Sequence, residues 1–248
     1  MTDDLDPIIR NWPFEPGSIQ VRTIQGKDER LKLQLRLDLG ILQMEVHGRP
    51  DGQTPFGCDS LLEYYKKLAK RFCQEGKEDT FKLNTEDCLK LQQEGIQYYH
   101  RYLAFFQLQN FEGVIRDTER NLHLFDFVTQ YAEKPEMAMM FQQFRPYVLM
   151  IHTRAHGMKA LQNKDYDLAL KHVDWGIQEI CEFFHTNDTS ELIEKNPELS
   201  FLQNWRKEIQ KQRPLSLREK LQKQIFDAIH KEDYERAARL RDALKELS

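Results

Sequence analysis

No apolar run in the chain approaches the roughly 20 residues that a bilayer-spanning helix needs, so no membrane partner is expected. Its four cysteines, Cys58, Cys73, Cys88 and Cys181, are widely spread and none forms a C-x-x-C pair. That removes the usual zinc-site and redox signatures. The acidic opening Met1-Thr-Asp-Asp-Leu-Asp6 lacks the hydrophobic region of a secretory signal. Together these absences point to reduced thiols and a cytoplasmic protein. Neither charge dominates: 36 Lys+Arg against 40 Asp+Glu leave a formal net charge of −4. A general nucleic-acid binder would carry more positive charge, although a local patch can still be basic. There is no G-x-S-x-G elbow, no phosphate-binding glycine loop and no nucleophilic cysteine signature. The chain does not read as an enzyme, and neither a metal nor another cofactor is expected.

What remains is a chain of 248 residues, 40% apolar and 31% charged, with the charges mixed in sign. That composition fits a largely helical protein with a real core and room for a small extra module. Residues 1–16 carry Pro7, Pro13 and Pro16 and read as an irregular lead-in that packs through Trp12 and Phe14. From Ile19 the period becomes two. Leu31, Leu33, Leu35, Leu37 and Leu39 alternate with Lys32, Gln34, Arg36 and Asp38, which predicts a strand with one wet face. Ile19–Ile24 and Ile41–Val46 supply its neighbours, giving a small antiparallel meander over about 17–50. His47-Gly-Arg-Pro-Asp-Gly52 then turns the chain.

From Ser60 onward the pattern is helical. Helices are predicted from about Ser60 to Gln74, then over 86–108, 111–132, 136–162, 166–185 and 198–211, with two more in a C-terminal hairpin. Pro135, Pro197 and Pro214 stand at boundaries, and Pro146 is placed to kink the long 136–162 helix. One phrase occurs three times: Asn110-Phe-Glu-Gly-Val-Ile, Asp165-Tyr-Asp-Leu-Ala-Leu and Asp233-Tyr-Glu-Arg-Ala-Ala. Each places a polar turn residue and an aromatic plug at the start of a helix, with an acid favouring the helix N-terminus. The first two lie in stretches that resemble tetratricopeptide (TPR) helix pairs. Gly157, Ala169 and Gly176 stand where that family wants small residues, whereas the first pair has Tyr102, Val114 and Asn121, which would hold its helices further apart. An ordinary helical-hairpin core explains the pattern about equally well, because the spacing exceeds the roughly 34 residues of a regular array.

Several side chains qualify as candidate chemistry, and each has a plainer explanation. His152 and His156 share a helical face at a spacing that metal sites use, but no third ligand accompanies them. Asp117/Glu119 and Asp165/Asp167 are read as helix starts and solvated faces. Arg49, flanked by glycines in the turn, is a candidate anion contact, though a plain strand-to-helix turn accounts for it. Arg206, Lys207, Lys211, Arg213, Arg218, Lys220 and Lys223 make 203–223 basic, suited either to a solvated linker or to weak nucleic-acid contact. Tyr98, Tyr99, Tyr102, Phe105 and Phe106 crowd one helix. That helix is either buried on nearly all sides or forms part of a peptide groove.

The C-terminus carries the clearest pattern. Leu217, Leu221, Ile225 and Ala228 form one helical stripe. After the break at Lys231-Glu-Asp233, a second stripe follows with Tyr234, Ala237, Ala238, Leu240, Arg241 and Leu244. Two such short helices cannot form a core alone, so the hairpin must dock on something. Leu221, Ala228, Glu232, Tyr234, Glu235, Ala237, Ala238, Leu240, Arg241, Asp242 and Leu244 closely resemble the UvrB/UvrC motif (UVR), a helical hairpin of protein–protein docking. Some UVR-bearing adaptors also carry C-x-x-C zinc sites, which this chain lacks. The resemblance implies an interface with another UVR-motif protein or with a second copy of this chain. Tyr234 would be its aromatic wedge, Ala237 and Ala238 would permit close helix approach, and Arg241 and Asp242 would set polar register; Ile225 joins them as a candidate partner contact.

The reading is therefore a mainly α protein in three parts: a lead-in and meander (1–57), a TPR-like helical body (58–212) and a UVR-like hairpin (214–248). Its expected function is that of a non-enzymatic interaction scaffold. Two alternatives stay open, a DNA-repair accessory that touches nucleic acid through 203–223, and an anion-binding or hydrolytic site near Arg49.

Overall fold

The computed structural model of the chain describes residues 5–215 and 217–246, with the side chains of Leu217 and Glu246 outside that description. The expected stripe residue Leu217 is thus placed by its backbone alone. The protein is mainly α with one small sheet, and it divides into two compact units, one ending at Arg206 and one beginning at Lys207.

After a short helix α1 (Asp6–Arg10), strands β1 (Val21–Gln25), β2 (Leu31–Leu37) and β3 (Gly40–Glu45) pair antiparallel in sequence order. Leu33 stands opposite both Thr23 and Met44, which fixes the register of the meander. Leu33, Leu35 and Met44 are buried on the apolar face, as the alternation requires.

The opposite face is not wet. Lys32, Gln34 and Arg36 are buried as well, because each polar end finds a partner within the unit. Lys32 pairs with Asp28 and Glu45, and Gln34 bonds Arg22 and Gln43. Arg36 donates to the carbonyls of Trp12, Leu37 and Gly40. The proline-rich lead-in closes over them, with the Arg22 guanidinium 4.2 Å from the Trp12 ring and Arg36 5.9 Å from Phe14. Leu31, Leu37 and Leu39, predicted to join the apolar face, are exposed at the ends of the strand and in the β2–β3 turn.

The helices of the body are α2 (Leu61–Gln74), α3 (Thr85–Gln107), α4 (Phe111–Tyr131), α5 (Pro135–Gln142), α6 (Arg145–Gln162) and α7 (Tyr166–Thr186). The single helix predicted over 136–162 is two. Pro146 occupies the first turn of α6 rather than kinking a continuous helix. Its ring lacks the N–H that would bond Gln142 and would clash with that carbonyl, so the helix restarts instead. Helix α8 (Pro197–Gln212) spans the division between the units, and α9 (Leu217–His230) and α10 (Tyr234–Glu246) form the C-terminal hairpin.

The three repeated phrases share one backbone joint. Gln109, Lys164 and Glu232 each adopt a left-handed conformation, with φ of 56°, 58° and 59°. The next residue donates its N–H six residues' span back, Asn110 to Phe105, Asp165 to Ala160 and Asp233 to Ala228, at 2.9–3.0 Å. That is a Schellman ending. The same residue's side chain then caps the following helix, accepting from Gly113, Leu168 and Arg236 backbone N–H groups at 2.9–3.1 Å. The aromatic that follows is not a plug in every copy. Phe111 is buried, Tyr166 is half-buried and Tyr234 is 67% exposed.

Glycines make room for side chains of neighbouring helices in the body. At Gly176 a Cβ would lie 2.1 Å from Thr153 Oγ1, and at Gly157 it would meet the Trp205 ring at 2.5 Å. In the α3–α4 pair, which carries Tyr102, Val114 and Asn121, the Phe105 ring seats on Gly113, whose Cβ would lie 2.7 Å from it. Asn121 tightens that pair further by donating to the Gly95 carbonyl at 3.0 Å.

Candidate functional site

Taken by itself, the C-terminal unit is a hairpin whose helices meet through small side chains. Ala228 of α9 and Ala237 of α10 are 4% and 3% exposed. Leu221, Ile225, Leu240 and Leu244 flank them, half-buried. Ala228 and Ala237 therefore act by letting the helices approach, and a partner cannot touch them while the hairpin stays closed. Ala238, expected to share that role, is exposed, as are Arg241 and Asp242.

The exposed apolar surface gathers around the joint between α9 and α10. Tyr234 is 67% exposed, Phe226 64% and Ile229 44%. Phe226 stacks on His230 with ring centroids 5.4 Å apart, which holds its face in a defined orientation. Sequence reasoning placed Tyr234 between the helices and did not single out Phe226 or Ile229. The available signal was their i, i+3 spacing, a second apolar strip beside the Leu221–Ile225–Ala228 stripe. Sequestering such rings from water is worth roughly 1.5–3 kcal/mol per large side chain, so this end of the hairpin is suited to being covered.

The aromatic-rich helix α3 divides its side chains. Tyr98, Tyr102 and Phe105 are buried, whereas Tyr99 and Phe106 are half-buried. Phe106 packs against Phe111 and lies 4.7 Å from the Arg154 guanidinium. Tyr99 and Tyr102 line a cavity of about 570 Å³ bounded by α3, α4, the α5–α6 corner and Glu198. Most of this helix is core, and one edge lines the cavity.

Between α3 and α4 lies a buried ionic network that the sequence did not reveal. Asp117, read as a solvated carboxylate, is fully buried and grips Arg101 with two bonds of 2.7 and 2.8 Å. Arg101 also donates to the carbonyls of Glu45 and Gly48, which ties the end of β3 and the following turn to α3. Glu94, also fully buried, accepts from the Leu61 and Leu62 N–H groups at the start of α2 and pairs with Arg120. Burial holds the Arg120 guanidinium below its usual range, with Glu94 acting in the opposite direction. Arg49 belongs to this network, 3.5 Å from Glu94 and 3.2 Å from Asp51. An incoming anion at Arg49 would compete with two resident carboxylates.

His152 and His156 of α6 are joined by His172 of α7, stacked on His156 at 4.6 Å. Among the described residues no three metal-ligating side chains converge in a geometry that would hold an ion. His152 Nδ1 lies 2.9 Å from Thr118 Oγ1, which also reaches the Val114 and Ile115 carbonyls. Burial pushes His152 down to about 4, with His156 and His172 adding repulsion. In the basic stretch Arg206 pairs with Asp174 and Arg213 with Glu219, while Lys207, Lys211, Arg218, Lys220 and Lys223 are exposed. None of the described helices is long and apolar enough to cross a membrane.

Residues 216–248 fit the family model of UVR, the UvrB/uvrC motif. No curated protein and no solved structure matches the chain. UVR motifs are interaction motifs rather than catalytic ones, and their partners include other UVR proteins.

Proposed function

We propose that the chain is a non-enzymatic, cytoplasmic interaction scaffold that docks a partner through its C-terminal hairpin. The observation that carries this reading is the exposure of Tyr234, at 67%, within the matched motif. Ala228 and Ala237 satisfy the hairpin internally, which leaves Tyr234, Phe226 and Ile229 for an outside surface. Two exposed aromatic rings and an exposed isoleucine are the composition of an interface anchor. The partner is another UVR-bearing chain or a second copy of this one, and the body (58–212) serves as a TPR-like platform.

The test compares proteins bound from native lysate by the intact chain, a 1–213 truncation and Tyr234→Asp. A protein retained by the intact chain and lost from both folded variants supports hairpin docking and names the pathway. Identical captures by all three end it. Sedimentation of the intact chain alone identifies the case in which the partner is a second copy.

A second reading is favoured by Lys207, Lys211, Arg218, Lys220 and Lys223, all exposed. In it the chain is a DNA-repair accessory with weak phosphate-backbone contact. Affinity for duplex DNA should then fall steeply with salt, and salt-independent or absent binding rejects it.

A further inference from the structure

The groove on the body is a second candidate site, lined by residues of the first unit. Its volume of about 570 Å³ lies within the roughly 300–1,000 Å³ of ordinary ligand sites. Tyr102, Leu124, Phe125 and Phe141 contribute to its walls, all buried. Its lips are Ile96 on α3 and Phe144 at the α5–α6 corner, 48% and 49% exposed.

The electrostatics of the lining are one-sided. Among the described residues Glu198, in the first turn of α8, is the single acidic side chain lining the groove, beside the amides of Gln92, Asn121 and Gln143, and no lysine, arginine or histidine lines it. Glu198 Oε2 accepts from Asn196, which fixes the carboxylate. Tyr147 lines the same groove, its ring centroid 6.3 Å from that of Tyr99. Burial, Tyr99 and Glu198 together push the Tyr147 hydroxyl up to about 12, so it stays a neutral donor. Arg154, the cation that Tyr147 senses, is committed elsewhere, between the Phe106 and Phe201 rings at 4.7 and 4.6 Å.

We propose that this groove takes a peptide segment of another protein, its apolar side chains on the floor and a lysine or arginine against Glu198. The negative lining selects the charge, and the tyrosine faces add to the attraction for a cation. The two exposed lips select a peptide over a small cation. A small ligand on the floor would leave Ile96 and Phe144 in water, whereas a peptide crossing the groove covers both.

The test is selection of a displayed random-peptide library on the full chain carrying Tyr234→Asp, which removes peptides held by the hairpin. Enriched sequences should combine apolar residues with lysine or arginine. They should bind about tenfold more weakly to Ile96→Asp and to Glu198→Gln. Selection on Glu198→Lys should exchange the basic residue for an acidic one, a reversal that loss of structure alone cannot produce. Circular dichroism checks that each variant is folded. No enrichment, equal binding to the lip and acid variants, or an unchanged charge preference on Glu198→Lys would each overturn the proposal. Because the hairpin anchor is removed throughout, these outcomes leave the docking role of Tyr234 untouched.

Discussion

Arg101 and Asp117 face each other across α3 and α4 as a two-pronged pair, each side chain 1% exposed. The remaining guanidinium donor reaches the carbonyls of Glu45 and Gly48. One buried cation thus joins the meander to the helical body, and the desolvated pair has no water to fall back on.

Replacing Asp117 by Asn keeps the shape but leaves that guanidinium without its counter-charge. Urea unfolding should show a loss of about 3–5 kcal/mol. Combining Arg101→Met with Asp117→Leu should recover a good part of it, since an apolar pair removes both desolvated charges. Equal stability of Asp117→Asn and the parent would mean the pair is solvated.

The histidine cluster sets a pH window. His152 is held down to about 4, and burial also lowers His156 and His172 from the ordinary 6.5. A depressed group favours the fold only while the unfolded chain is unprotonated as well. Stability is therefore complete above about 6.5 and should fall as pH drops towards 4. Thermal melts across that range should show the decline, and His152→Gln should flatten it.

Gly176 admits Thr153 between α6 and α7. Gly176→Ala should destabilise by about 1–3 kcal/mol through overpacking. Thr153→Ala in the same chain removes the oxygen and methyl that clash, so the double variant should regain part of the loss. Additive costs would show that the two side chains do not meet.

At the α6–α7 joint, Lys164 is a non-glycine residue with φ of 58°. Lys164→Gly removes the left-handed penalty without touching a packed side chain and should stabilise by about 1 kcal/mol. A midpoint shift in chemical unfolding reads the change directly.

Much of the fold was legible because periodicity and punctuation act locally. The alternation of Leu33 and Leu35 located the central strand, and Asn110, Asp165 and Asp233 located three helix joints. The closed polar face of β2 was not legible, since Lys32 and Arg36 are ordinarily solvated and their partners Glu45 and Trp12 are distant in sequence. The same limit hid Asp117, whose burial depends on Arg101 from another helix. In the hairpin the matched positions were readable as a motif. Which of them face outward was not, because Tyr234 and Ala237 lie on the same short helix and only the approach of α9 separates their fates.

The most direct measurement is the affinity of the purified chain for its captured partner, comparing the parent with Tyr234→Phe and Tyr234→Asp. Docking through an aromatic anchor requires that Phe retain binding within a few-fold, while Asp, which would bury a charge, weakens it by a hundredfold or more. Equal affinities for all three would contradict the hairpin as the docking surface.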